Sequence, residues 1–327
     1  MTGRRHGTML ALCVLATLAA PALAQTQKRT PPPPPPAPSA AANPDNGNAD
    51  IAYGAFQRGM FLTALAEASK RAQQNDPAAM TLLGELYAQG LGVPRDDAKA
   101  ANWYKQAAAH GDRDAMFALA MFNLEGRAGP RNPDEAARLL AAGAKLGHAA
   151  AAYDLGLLYL QGQQFPQDFA RAAQLFRQAS DAGNADAQYA LAAMYKEGRG
   201  VPKDLNEAER LMGLASVAGN VDAMVEFAIA QFNGSGVAKN EIAAAKLMLI
   251  AARRGSAIAQ DRLARILMAG RGMPADATEA VKWHIIAKAG GDSDPDLDAF
   301  AAQQTQQVRD AAEKAAKIWM STLPPRP

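Results

Sequence analysis

The amino-acid sequence predicts an all-α solenoid of tandem helix-turn-helix units, and three observations predict it. A period of 36 residues runs through six copies from Pro77 to Asp292 with no insertion or deletion. Two glycine columns keep that register: Gly90, Gly126, Gly162, Gly198, Gly234 and Gly270, then Gly111, Gly147, Gly183, Gly219, Gly255 and Gly291. Two alanine columns keep it too, from Ala79 to Ala259 and from Ala100 to Ala280. Such self-similarity marks stacked units, because one helix pair buries too little apolar surface to stand alone.

Residues 1–24 read as a secretory signal peptide. Arg4 and Arg5 form the positive start, Thr8 to Ala20 is apolar and uncharged, and Ala22-Leu23-Ala24 is a small-x-small cleavage site. The run falls short of the ~20 residues that span a membrane, and Pro21 closes it. Cys13 is the one cysteine and lies inside the run, so the mature chain would carry neither thiol nor disulfide. That removes thiolate catalysis and cysteine zinc sites. Residues 25–50 read as a linker: Pro31 to Pro36 is a proline run that favours extended polyproline II and has nothing apolar to bury. A spacer is the reading preferred here, a ligand for a proline-binding module the alternative.

Residues 51–76 carry Tyr53, Ala55, Phe56, Gly59, Ala64, Leu65, Ala68 and Ala72 at helical spacing. They resemble a tetratricopeptide unit that would cap the first repeat. In that repeat, Ala79, Leu83, Leu86 and Tyr87 define a helix A, which Gly90 ends in the left-handed region. Gly92-Val93-Pro94 is a turn; its proline recurs as Pro130, Pro166, Pro202 and Pro274, with Ala238 the exception. The next column contains only Asp and Asn (Asp96, Asn132, Asp168, Asp204, Asn240, Asp276), as an N-cap requires. Three residues on, Glu135, Glu207 and Glu279 are placed to close a capping box. Helix B follows with Ala100, Trp103, Tyr104 and Ala107 on one face and stops at Gly111. The alanine columns demand close approach, and the opposing column of Trp103, Leu139, Leu175, Leu211, Leu247 and Trp283 supplies bulk. Residues 293–327 are expected to seal the last repeat with one or two helices through Leu297, Phe300, Val308, Ala312, Ala316, Ile318 and Trp319.

Of the 34 basic residues, Arg4 and Arg5 would leave with the signal, so 32 remain against 32 acidic ones. A neutral body argues against nucleic acid as partner, and no second apolar stretch is long enough to cross a membrane. No Ser-x-x-Lys, G-x-S-x-G, H-E-x-x-H or P-loop pattern occurs, so neither an enzyme nor a cofactor or metal is expected. His110 and His148 fall at repeat-end turns, as exposed turn residues or, alternatively, metal ligands. His284 reads as a packed helix-B residue. Asp292, Asp294, Asp296 and Asp298 alternate like a calcium loop but lack its glycine and distal glutamate, which favours a turn and N-cap.

Leu155-Gly156-Leu157-Leu158-Tyr159 before Gly162, Tyr195 to Asp204 (YKEGRGVPKD), and Ala98 to Asp112 are similar to the Sel1-like repeat over Pro77 to Asp292. The resemblance implies a right-handed α/α superhelix related to tetratricopeptide arrays. It also implies an adaptor or regulator that contacts envelope complexes, sensor kinases or host proteins. A cysteine-rich exported subgroup is linked to penicillin binding or hydrolysis, and the chain departs from it by lacking cysteine. In tetratricopeptide-type arrays helix A lines the concave face. Its inner columns here concentrate Phe117, Met121, Leu124, Tyr153, Leu157, Leu160, Tyr189 and Lys196 in repeats two to four. Two readings stand: a groove for a helix or extended peptide, or side chains that fill the space between neighbouring A helices. The function expected is a periplasmic or secreted scaffold for a protein or peptide; a cell-wall enzyme and a plain spacer are the alternatives.

Overall fold

The computed structural model describes residues 50–163 and 165–322. The expected signal peptide, the expected linker short of Asp50, and the last five residues lie outside these. Among the described residues there are sixteen α-helices and no strand. A first pair, α1 (Ile51–Gln57) and α2 (Phe61–Ala72), precedes the repeats. The A and B helices then alternate: α3 (Pro77–Gln89) and α4 (Asp97–Ala109), α5 (Arg113–Glu125) and α6 (Pro133–Lys145), α7 (Ala149–Gln161) and α8 (Phe169–Asp181). The next three pairs are α9 (Ala185–Glu197) and α10 (Leu205–Val217), α11 (Val221–Asn233) and α12 (Glu241–Arg253), α13 (Ala257–Ala269) and α14 (Ala277–Ala289). Each helix packs on its neighbours in the chain, which is the contact pattern of a solenoid. Two helices close it, α15 (Pro295–Gln303) and α16 (Gln306–Ser321). Of these, α16 lies along α14, with Trp319 edge-on to Trp283 at 5.5 Å.

Two turn designs repeat without change. At the A-to-B turn the C-cap glycine adopts φ between 65° at Gly270 and 75° at Gly198 and Gly234, a region that other residues enter at a cost. The Asp or Asn cap of helix B then serves two helices. Its side chain accepts an amide of the helix it starts, such as Glu135 N–H to Asn132 at 3.1 Å. Its own amide donates back to helix A: Asp96 to Tyr87 O at 2.9 Å, Asp168 to Tyr159 O at 3.0 Å, Asn240 to Gln231 O at 2.8 Å. This second bond corrects the capping box. The cap's amide is already satisfied, so Glu135, Glu207 and Glu279 turn outward to Arg138, Arg210 and Lys282.

At the B-to-A turn the logic is the same. Asp112 donates its amide to Ala107 O at 3.1 Å while its carboxylate accepts from Ala115 at 2.7 Å. Asp76, His148, Asn184, Asn220 and Ser256 occupy that column, and each caps its helix A. A cap contributes about 1 kcal/mol. Because it also ties two helices together, a one-residue insertion would break both bonds.

The two alanine columns are buried to 2% exposure or less in every repeat. The tightest helix approach lies in another pair of columns. Helix A carries Gly84, Ala120, Gly156, Ala192, Ala228 and Ala264; helix B carries Tyr104, Leu140, Phe176, Met212, Met248 and His284. Glycine stands where the helix-B residue is a large aromatic and alanine where it is not. A Cβ on Gly156 would sit 2.7 Å from the Phe176 ring, and one on Gly84 would collide with Tyr104. Volume is thus matched pair by pair, as close-packed interiors require.

Candidate functional site

The eight residues expected to contact a partner lie on α5, α7 and α9, and all but exposed Lys196 are half-buried. Their neighbours explain why. Phe117 stacks on His148, the N-cap of helix A of the next repeat, with centroids 4.6 Å apart and planes at 22°. Tyr153 leans on Phe176 of its own repeat at 5.6 Å. The Tyr189 hydroxyl donates to Glu226 at 2.8 Å, and Lys196 reaches the other oxygen of that carboxylate at 3.1 Å. Leu157 and Leu160 pack against the same core cluster as Tyr153 and Tyr189, while Met121 and Leu124 join the preceding one. Phe117, Tyr189 and Lys196 therefore bridge consecutive repeats. The Tyr153 hydroxyl differs, since it has no hydrogen-bond partner among the described residues. Burial, with Asp186 and Asp154 near, pushes that phenol up to about 12, so it stays a donor at neutral pH.

The column that supplies Phe117, Tyr153 and Tyr189 shrinks to Val225 and Asp261 in repeats five and six. Val225 is buried in the core it shares with Leu263 of α13, and Asp261 lies beside Asp294. A cleft of about 310 Å³ opens there between α11 and α13, over Ala244 and Met248 of α12. Ile229, Phe232, Ile266 and Met268 form its walls, and Arg262, Arg265 and Arg271 stand round it. Arg271 lies 4.3 Å over the Phe232 ring and pairs with Glu241 at 2.5 Å. Arg265 is drawn to the C-terminal cap by Asp294 and by Asp296 at 3.5 Å, and it also pairs with Asp261 of its own helix at 3.7 Å. None of the residues that line this cleft is among the eight expected from the sequence.

His148 is no exposed turn residue. Its side chain is 16% exposed, its Nδ1 accepts the Ala151 amide at 3.0 Å, and Nε2 faces Asp114 at 3.5 Å. An accepting Nδ1 places the proton on Nε2. Burial and the charge of Arg113 hold the imidazole down at about 4. His110, at the end of α4, is exposed and sits in a different column. His284 is buried, as its column implied, with Nε2 2.8 Å from Asp298 and Lys288 on the same carboxylate at 2.8 Å. Asp294 caps α15, accepting from Asp296 at 2.9 Å and from Leu297 at 3.3 Å. Among the described residues no cluster of three or more His, Asp or Glu side chains could hold a metal ion. No described helix is long and apolar enough to cross a membrane.

The fold has known counterparts. A Sel1 repeat protein from Oxalobacter formigenes is 27% identical, covers 73% of this chain and 97% of its own, and superposes with a TM-score of 0.63. A protective antigen of uropathogenic Escherichia coli with an SLR fold is 24% identical over 80% of this chain and 64% of its own, at a TM-score of 0.52. The second likeness speaks for the fold alone. No curated protein sequence matches the chain. The family model of the Sel1 repeat matches six times, at residues 77–112, 113–148, 149–184, 185–220, 221–256 and 257–292. These six matches follow the turn pattern described above from cap to cap, and the chain belongs to the Sel1 repeat family.

Proposed function

We propose that this chain is an exported scaffold that holds a segment of another protein along the helix-A face of its repeats. In the periplasm or outside the cell it would serve an envelope complex or a membrane sensor. Sel1 repeat proteins are generally scaffolds for protein interaction rather than enzymes, which supports the class of function. The leader-like first 24 residues support export. One observation carries the choice of surface. The Tyr153 ring is fixed against Phe176, while its hydroxyl has no hydrogen-bond partner among the described residues. A rigid aromatic with a free polar tip is the kind of group that protein interfaces favour.

A photo-crosslinking phenylalanine at position 153, with irradiation in envelope extracts, tests this. The expected result is a discrete adduct that Lys196→Glu weakens. A folded protein that yields no adduct at position 153 overturns the choice of surface. Fractionation of cells tests export: a shortened chain in the periplasm or medium supports it, and a full-length chain held in the cytosol overturns it.

A further inference from the structure

We propose that the cleft between repeats five and six is a specificity pocket for a peptide in which a bulky apolar side chain stands beside a carboxylate. This rests on the scaffold reading above and adds the chemistry of the bound segment. The apolar part follows from the walls. Ile229, Phe232, Met248 and Met268 line a space of about 310 Å³, which is at the small end of ligand clefts and suits one large side chain rather than a whole helix. Methionine thioethers adapt to the shape of what enters.

The carboxylate follows from charge. Two of the three guanidinium groups at the cleft are already matched inside the chain: Arg271 by Glu241, and Arg265 by Asp294, Asp261 and Asp296. Arg262 is exposed and forms no ion pair among the described residues. It is the uncompensated cation at the mouth, next to an apolar wall that strengthens a charged hydrogen bond by excluding water. Its planar fork favours a carboxylate over a single acceptor atom.

A random-peptide phage library panned on the full chain tests the pocket. Recovered sequences should place Asp or Glu next to Leu, Ile, Phe or Met. For one recovered peptide made synthetically, Arg262→Glu should weaken binding about tenfold, the scale of reversing one partly exposed ion pair, and repanning on that variant should select Lys or Arg instead. Ala269→Trp, at an exposed position on the rim, should abolish binding with the circular dichroism unchanged. Peptides without an acidic bias, or binding indifferent to Arg262→Glu and Ala269→Trp, overturn the pocket and leave the scaffold reading standing. A folded chain that selects no peptide at all overturns both.

Discussion

Repeats two to four and repeats five and six share one backbone design but use their helix-A face in opposite ways. In the first region Phe117 reaches His148, the cap of the next helix A, and Tyr189 reaches Glu226 of the following repeat. The inner surface there is largely consumed by the array itself. In the second, a cleft walled by Ile229, Phe232 and Met268 stays open, and Arg265 is pulled aside by the C-terminal cap. In a solenoid, then, an apolar inner strip is not by itself a free surface. The open site lies where apolar walls are left without a side chain between them.

The largest effect that can test this contrast comes from overfilling one helix-packing column in both regions. Gly156 faces Phe176 with no room for a methyl group, so Gly156→Leu should cost about 3 kcal/mol or more. Ala228 holds the equivalent position in repeat five but borders the cleft and flexible Met248. Ala228→Leu should cost about 1–2 kcal/mol, less than Gly156→Leu, because Met248 can shift toward the cleft. Urea unfolding of the two variants measures both. Equal losses would mean that the two regions are packed alike.

Much of the fold was legible because its determinants are local. A glycine after a helix, an Asp or Asn before one, and alanine where helices touch act within a few residues, and the period repeats the message six times. What was misread depended on partners distant in sequence. The capping-box glutamates were displaced because helix A supplies a carbonyl to the cap's amide. The position of His148 alone suggests an exposed turn residue, whereas its column (Asp76, Asp112, Asn184, Asn220, Ser256) holds only side chains that can accept a hydrogen bond. Read as a column, it announces a neutral histidine cap. The eight strip residues were found as a set, but which of them are tied to the next repeat is a matter of distances. The cleft depends on which side chains line it and on the diversion of Arg265 to Asp294, and neither is visible in sequence.

The next effect separates the regions by pH. His148 caps α7 in repeat three, whereas Asn220 caps α11 in repeat five. Protonation would remove the acceptor at Nδ1, and with the folded imidazole held at about 4 against ~6.5 when unfolded, the unfolded chain binds the extra proton in between. The stability from this group is full above pH ~6.5 and is lost as pH falls toward 4. The loss should amount to about 2 kcal/mol, given a mostly buried ring. Asp112 and Asp114 are raised by burial and act in the opposite sense, so the readout is a difference. Denaturant midpoints between pH 7 and 4 should fall more steeply for the native chain than for His148→Asn, which keeps the cap with a group that does not titrate. Parallel curves would remove His148 as the cause.

The smallest effect sharpens the contrast within the strip itself. Tyr189 and Tyr153 occupy one column in adjacent repeats, and both rings are half-buried. The Tyr189 hydroxyl is bound to Glu226, a residue that also receives Lys196. Tyr189→Phe keeps the ring and removes that bond, and since Glu226 is only half-buried it can recover water. The expected cost is therefore about 0.5–1 kcal/mol. Tyr153→Phe removes a hydroxyl that has no partner among the described residues and should leave the melting temperature unchanged. The order reverses for the adduct-forming partner. Affinity should drop for Tyr153→Phe, where the hydroxyl is available, and stay near the native value for Tyr189→Phe. Stability that responds to Tyr153 and binding that responds to Tyr189 would mean that the two tyrosines have the opposite roles, with the guest lying one repeat further along the array.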